Sequence, residues 1–381
     1  QESRGLGDVY KRQGKNMNIT LIREDLLNSL QAIIGVVERR QTMPILANVL
    51  LSCEGNSLTL TATDLEVELI ATLNSDCSEL FTTTLPGRKL LDICRSLPGE
   101  AVISIEISEN KAVIKSGKSR FSLTTLPANE FPLIPSINSD QQININQQDL
   151  MYLIENTQFS MAQQDVRYYL NGLLMEIDGN QLRAVATDGH RLAYCQKELS
   201  SDASENKSVI IPRKGVLELQ RLLGGDTEIT IELGVNHIRV SFASICFTSK
   251  LIDGRFPEYE RVIPSDTSNH LLANKDDLKT SLQRTAILSN EKYRGIRLVI
   301  NQDQLTLQAH NPEQEEAEES LEIEYAGIDI EVGFNVNYLI DALNVIDADQ
   351  VSLSMVDGNS SCLITDPNND QAKFVVMPMR L

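Results

Sequence analysis

No stretch of the chain is apolar for long enough to cross a bilayer, and nothing near its amino end resembles a signal peptide. Cysteine is sparse and scattered: positions 53, 77, 94, 195, 246 and 362 show no paired spacing for a disulfide framework or a metal. Reduced, mostly buried thiols in a cytoplasmic protein are expected. Only four histidines occur, and 237, 270 and 310 form no ligand spacing with one another or with His190. No G-x-S-x-G turn, P-loop or dinucleotide glycine pattern is present, which removes the usual signs of hydrolase or nucleotide chemistry. Positive charge is also short, with 34 Lys and Arg against 53 Asp and Glu and a net charge of −19. Taken as a sum, that opposes a polyanionic partner. A local basic surface can still bind phosphate on an acidic protein, so the distribution decides more than the total.

What is abundant is repetition. An acid followed by a leucine-rich helix recurs at Asp25-Leu26, Asp149-Leu150 and Asp277-Leu278. An alternating strand ends in a polar corner at Asp64 (LTLTATD), Asp188 (LRAVATD) and Asn311 (LTLQAHN). A second helix opens with LPGRKLLDI from Leu85, IPRKGVLEL from Ile211 and FNVNYLIDAL from Phe334. A closing strand starts at Phe121, Phe247 and Phe374. The intervals run from 123 to 128 residues and the order never changes, so the chain is one fold written three times. That period is too long for a solenoid unit and implies tandem domains. We expect a leader over 1–16 outside the fold, with the chain proper starting at Met17, then domains at 17–140, 144–258 and 260–381.

Within a repeat, Leu26, Leu30, Ile33, Ile34 and Val37 fall on one helical face. Leu150, Leu153 and Ile154 match them, as do Leu278, Leu282 and Ala286. Asn146 with Asp149, and Asn274 with Asp277, have the spacing of helix-start caps. Short alternating strands lie between the helices, so each repeat is an α+β domain with two helices packed on antiparallel sheets. The basic segment 115–120 (KSGKSR) is expected to form a strand, and 313–319 (EQEEAEE) is its acidic counterpart in the third repeat. Their pairing in a head-to-tail dimer would close six domains into a ring. Twelve helices, each about 10 Å wide, would leave a hole of roughly 28 Å. A nucleic-acid duplex, roughly 20 Å across, would pass.

Longer motifs then carry a resemblance. MPILANVLL (43–51), DVRYYLNG (165–172), ATDGHRL (186–192), FTSKLIDGRFPEY (247–259), AILSNEKYRGIRL (286–298), NPEQEEAE (311–318) and VVMPMRL (375–381) are similar to those of the bacterial DNA polymerase III beta subunits, the sliding clamps. The resemblance runs from Met17 to Leu381. It implies a non-catalytic processivity factor without cofactor or metal. Such a ring of two head-to-tail copies encircles duplex DNA without reading its sequence, at replication forks in the cytoplasm. Implied partners are a second copy of the chain, the replicative polymerase alpha subunit and the clamp loader. Other clamp-binding proteins follow, namely translesion polymerases, ligase and mismatch repair factors.

The resemblance also implies site residues. A partner-peptide groove falls on Leu170, Thr187, Gly189, His190, Arg191, Leu192, Pro257, Arg261, Val262, Asn335, Tyr338, Val375, Met377, Pro378, Met379, Arg380 and Leu381. Methionine, proline and short aliphatics suit an adaptable apolar slot, with Arg191, Arg261 and Arg380 as its polar rim. DNA contacts fall on Arg40, Arg88, Gln164, Tyr168 and Tyr169. The dimer contact sets Lys118, Arg120 and Phe121 against Ile287, Leu288, Glu313, Glu315 and Glu318. Tyr293, Glu260 and Asn359 depart from the family pattern around the groove and bear on peptide preference. The competing reading is a DNA-free scaffold that binds peptides. An enzyme built on Asp188 and His190 is rejected, because the repeat explains Asp188 as the counterpart of Asp64.

Overall fold

The computed structural model describes residues 17–38, 43–77, 80–108, 110–135, 139, 141–200, 205–265 and 268–380. The expected leader at 1–16, Arg40 and Leu381 lie outside the described residues. Six α-helices carry the repeat: α1 Arg23–Ile33, α2 Gly87–Ser96, α3 Gln147–Glu155, α4 Arg213–Leu222, α5 Lys275–Thr285 and α6 Val336–Val345. They pack in the pairs α1 with α2, α3 with α4 and α5 with α6. Each first helix buries the face read from its spacing: Leu26, Leu30 and Ile33, then Leu150, Leu153 and Ile154, then Leu278 and Leu282. Each such side chain, taken fully out of water, contributes about 1.5–3 kcal/mol. Asn146 and Asn274 cap α3 and α5 by accepting from the backbone N–H of Gln148 and Asp277. Asn335 caps α6 in the same way.

The chain divides into two compact units, residues 1–140 with 229–250 and residues 141–228 with 251–381. These units cut across the repeat boundaries, because strands of successive repeats continue one sheet instead of ending it. In the first unit, strand Ile245–Lys250 of the second repeat pairs with Val67–Asn74 of the first. Strands Ser57–Thr63, Asn48–Glu54 and Phe81–Pro86 follow in order. A five-stranded sheet of the same unit runs from Asp76–Cys77 through Met17–Ile22, Val102–Ser108 and Lys111–Ser116 to Ser119–Thr124. In the second unit, Arg191–Glu198 pairs with Asn369–Val376 inside a nine-stranded sheet. A four-stranded sheet holds Glu316–Glu322 at one edge, beside Gln304–His310. Pairing strands across repeat boundaries satisfies edges that would otherwise stand open.

Two expectations are corrected. Segment 115–120 is not one strand: it is the tip of a hairpin, Lys111–Ser116 turning into Ser119–Thr124 at Gly117 with φ +55°. Nor are all cysteines free thiols, since Cys53 is disulfide-bonded while Cys94, Cys195, Cys246 and Cys362 are free. Elsewhere Gly172 permits a close approach, for a Cβ there would stand 2.6 Å from the Ile211 carbonyl oxygen. Among the described residues no helix is long and apolar enough to cross a membrane.

Candidate functional site

The second unit holds an apolar groove whose floor follows from strand register. Antiparallel pairing sets Leu174 opposite Val185, Thr187 opposite Leu192, and Leu192 opposite Val375. Side chains alternate between faces along each strand, so these fall on one face of the sheet. Leu170, Leu174, Val185, Leu192 and Val375 are all buried in one cluster. Segment 256–263 lies over them, contributing Phe256, Tyr259, Val262 and Ile263 to that cluster. The remaining space is a cavity of about 230 Å³, lined mainly by apolar groups that include Pro257 and Met377. That is below the roughly 300–1,000 Å³ of pockets that enclose a drug-sized ligand. It suits the anchoring side chains of a peptide.

A tight corner forms one end of the groove. The Asp188 carboxylate accepts from the backbone N–H of His190 and Arg191, at 2.9 and 3.0 Å. Thr187 Oγ1 donates to the Arg191 carbonyl at 2.6 Å and accepts from Gly189 N–H at 3.1 Å. Gly189 sits at φ +88°, and a Cβ there would stand 3.0 Å from the Arg167 guanidinium. Arg167 in turn grips Asp165 and donates to the Asp188 carbonyl. The Arg167 hydrogen bonds hold the Asp165 carboxyl down at about 2. The carboxyl end closes the site through two backbone bonds, Met377 N–H to the His190 carbonyl at 2.9 Å and Met379 N–H to the Gly333 carbonyl at 2.8 Å.

Nine of the expected groove residues line the cavity: Leu170, Thr187, Gly189, Arg191, Leu192, Pro257, Val262, Val375 and Met377. Others stand beside it. His190 is exposed, Asn335 caps α6, and Pro378, Met379 and Arg380 follow the last strand. Arg261 pairs with Glu258 at 2.8 Å and points mostly into solvent. Arg191 is not a free rim cation. Its Nε donates to Asp188 at 3.1 Å, Nη1 to Asp341 at 2.6 Å and Nη2 to the Phe159 carbonyl at 2.7 Å. Its guanidinium also lies 4.5 Å from the centre of the Tyr338 ring. Of the positions that depart from the family pattern, Tyr293, Glu260 and Asn359 are exposed.

The expected DNA contacts separate. Gln164 is exposed at φ +56°, and Tyr168 is more than half exposed on the same loop. Tyr169 packs edge-on against Tyr168 at 5.9 Å and lines the groove. Arg88 stands in the first turn of α2 and donates from Nη2 to the Val37 carbonyl at 3.0 Å. Most of the expected dimer residues sit on or beside strands that are sheet edges among the described residues. Strand Ser119–Thr124 is the edge of its sheet, with Lys118 and Arg120 exposed and Phe121 half-buried. Strand Glu316–Glu322 is the edge of another; exposed Glu318 lies on it and exposed Glu313 and Glu315 precede it. Ile287 is 74% exposed with Leu288 beside it.

Sequence profiles of the DNA polymerase III beta subunit match along the whole fold: its N-terminal domain over 17–135, its central domain over 144–258 and its C-terminal domain over 260–380. The chain belongs to the DNA polymerase III beta subunit family. It is 52% identical over 367 residues to the beta sliding clamp of Pseudomonas aeruginosa, covering 96% of this chain and 100% of that protein. The Escherichia coli beta sliding clamp is 48% identical over the same shares of the two chains. The crystal structure of the Pseudomonas aeruginosa clamp bound to griselimycin superposes with a TM-score of 0.93 at 51% identity, covering 96% of this chain and 100% of that one.

In this beta-subunit chain the family resemblance implies no groove role for Arg167, Tyr169 or Tyr259, yet all three line it. The signal was present in part. Arg167 and Tyr169 flank exposed Tyr168 in DVRYYLNG, and Tyr259 ends FTSKLIDGRFPEY. Nothing in a linear pattern says which ring of an aromatic pair turns inward.

Proposed function

We propose that this chain is a processivity clamp: a head-to-tail dimeric ring that encircles duplex DNA and tethers the replicative polymerase. The role is non-catalytic, since the Asp188–His190 corner is accounted for by its turn hydrogen bonds. The observation that carries the reading is the apolar groove, built from the second repeat, segment 256–263 and the carboxyl-terminal strand, in a chain matched by all three domains of one family. Partner peptides enter that groove, with apolar side chains over Leu192, Val262 and Val375. The polymerase alpha subunit, clamp loader, translesion polymerases, ligase and mismatch repair proteins compete for it. Griselimycin, bound by the Pseudomonas aeruginosa relative, is expected to occupy the same groove. The basic edge at Lys118 and Arg120 meets the acidic edge of a second copy, consistent with two edge strands of opposite charge, each paired on one side only among the described residues. DNA contacts come from Arg88, Gln164, Tyr168 and Tyr169, and from Arg40. They touch backbone and carry no sequence information.

The test loads the protein with an active clamp loader and ATP onto nicked circular DNA, then linearises the circle. Retention on circles with rapid loss from linear molecules is expected. Equal retention on both refutes the topological ring, and no retention on either favours a DNA-free peptide scaffold.

A further inference from the structure

Segment 253–262 forms the outer wall of the groove, yet among the described residues none of its backbone groups hydrogen-bonds to the sheet beneath. The last such tie is Ile252 N–H to the Ile210 carbonyl, and the bonds of Arg261 and Val262 N–H stay within the turn itself. Side chains must therefore seat the wall. Phe256 and Tyr259 are the two it buries, Tyr259 to 6% exposure. Phe256 offers only packing. Tyr259 adds direction, because its hydroxyl donates to Glu176 Oε2 at 2.6 Å.

The acceptor is itself fixed. Glu176 stands directly across the strand pair from Arg183, and Asp178 across from Gln181. Arg183 Nη1 donates to the same Glu176 oxygen at 3.3 Å, while Nη2 holds Gln181 and Asp178, each at 3.0 Å. Leu174 and Val185 are the next residues on that face, so the apolar groove floor passes directly into this ionic cluster. Tyr259 spans the junction, its ring beside the cavity and its hydroxyl on the charged side. Its ring also lies 6.0 Å from that of Tyr194, which extends the floor. Burial, then the carboxylate acceptor, pushes the phenol pKa up, so the hydroxyl remains a donor throughout the neutral range.

We infer that Tyr259 is a positioning residue of the groove: its hydroxyl, latched to the Arg183-held Glu176 carboxylate, fixes the wall carrying Pro257 and Val262 at the spacing a bound peptide requires. This rests on the peptide-groove reading above. A wall that samples open positions lowers apparent affinity by the fraction of molecules in which it is seated. Removing one hydrogen bond to a charged acceptor changes the ratio of seated to open wall about tenfold, and apparent affinity falls by up to that factor.

The test compares the full-length wild type with Tyr259→Phe and Glu176→Gln, which keep shape and packing. Two readouts are taken: calorimetric affinity for griselimycin, and hydrogen exchange of the amides of residues 256–263 without ligand. Tyr259→Phe is expected to speed exchange in that segment and weaken griselimycin about tenfold. Glu176→Gln, which retains an amide oxygen as acceptor, should lose less. The double variant should be no weaker than Tyr259→Phe alone, since the hydroxyl that Glu176 receives is already gone. Unchanged exchange, or griselimycin affinity within about twofold of wild type, overturns the inference. Fully additive losses do so as well. A wild type that exchanges slowly here but does not bind griselimycin instead removes the groove reading, and this inference with it.

Discussion

Replacing Arg191 by alanine tests whether the groove is held together from within. The side chain is 13% exposed and spends all three kinds of guanidinium nitrogen on protein acceptors, Asp188, Asp341 and the Phe159 carbonyl. Asp341 lies on α6, 150 positions along the chain, so one cation ties the Thr187–Arg191 corner to the helix that bears Tyr338. Deleting one member of a buried ionic network costs about 3–5 kcal/mol. Here Asp341 keeps 38% of its side-chain surface in water, so its share is screened and the lower end applies. In a unit of roughly 220 residues, a loss of about 3 kcal/mol lowers the melting temperature by about 6–12 °C. Calorimetry of the intact chain reads this in the transition of the groove-bearing unit. Arg191→Lys should recover less than half, because an ammonium cannot reproduce the planar fork. The sharper arm is Asp341→Asn. That residue does not line the cavity, so it weakens griselimycin only if Arg191 acts by positioning. An Arg191→Ala protein that melts like wild type, or an Asp341→Asn protein with unchanged affinity, would refute the reasoning.

Three further outcomes are expected. Met377→Ala removes a 41% exposed thioether that lines the cavity, and should weaken griselimycin by about tenfold in a calorimetric titration while the dimer persists; equal affinity would remove Met377 from the site. Lys118→Glu with Arg120→Glu should shift sedimentation toward the monomer, and Glu315→Lys with Glu318→Lys on the other edge should restore the dimer; a variant that stays dimeric would place the contact elsewhere. Glu68 is buried and accepts the Ile134 N–H at 2.9 Å. Its desolvation, only partly offset by that bond and by Arg239, raises its pKa above 4.5. The native state then binds the proton more tightly than the unfolded chain does. Stability falls as pH rises from 4.5 through the native value. Glu68→Gln should therefore melt above wild type at pH 7 by a margin that closes toward pH 4, and a constant margin would contradict the sign.

Much of this was legible because it depends on local periodicity. The apolar faces of α1, α3 and α5 are buried as their spacing requires, and Asn146 and Asn274 cap where they stand. The basic tip at 115–120 reads as a strand in the sequence although Gly117 marks a turn; alternation on either side of a two-residue turn imitates one continuous element. Other features are tertiary and leave no local trace. The bond from Arg191 to Asp341 and the latch from Tyr259 to Glu176, 83 positions apart, join segments whose separation carries no period. The exchange of strands between repeats is hidden for the same reason. A strand that pairs with its own repeat and one that pairs with the next have the same alternating pattern.

Repetition also shows how the site arose from a structural turn. At Asp64 the carboxylate accepts from Glu66 and Val67 N–H, and Thr63 Oγ1 donates to the Val67 carbonyl while accepting from Leu65 N–H. At Asp188 the same bonds recur, atom for atom, with His190, Arg191 and Gly189. Asn311 again takes the N–H of a residue further along, Glu315. The corner is thus a solution to turning a strand, and its Asp needs no chemical role. What differs is the side chains it presents. Leu65 bears a φ of +79° with a full side chain, whereas Gly189 leaves room for the Arg167 guanidinium at the cavity. Val67 is buried and apolar, whereas Arg191 at the matching place reaches Asp341 and Tyr338. Leu65→Gly combined with Val67→Arg would leave the turn of the first repeat in place and create no groove, because the acceptors that hold Arg191 come from Phe159 and α6. The site exists where the repeat departs from itself and a later helix answers the departure.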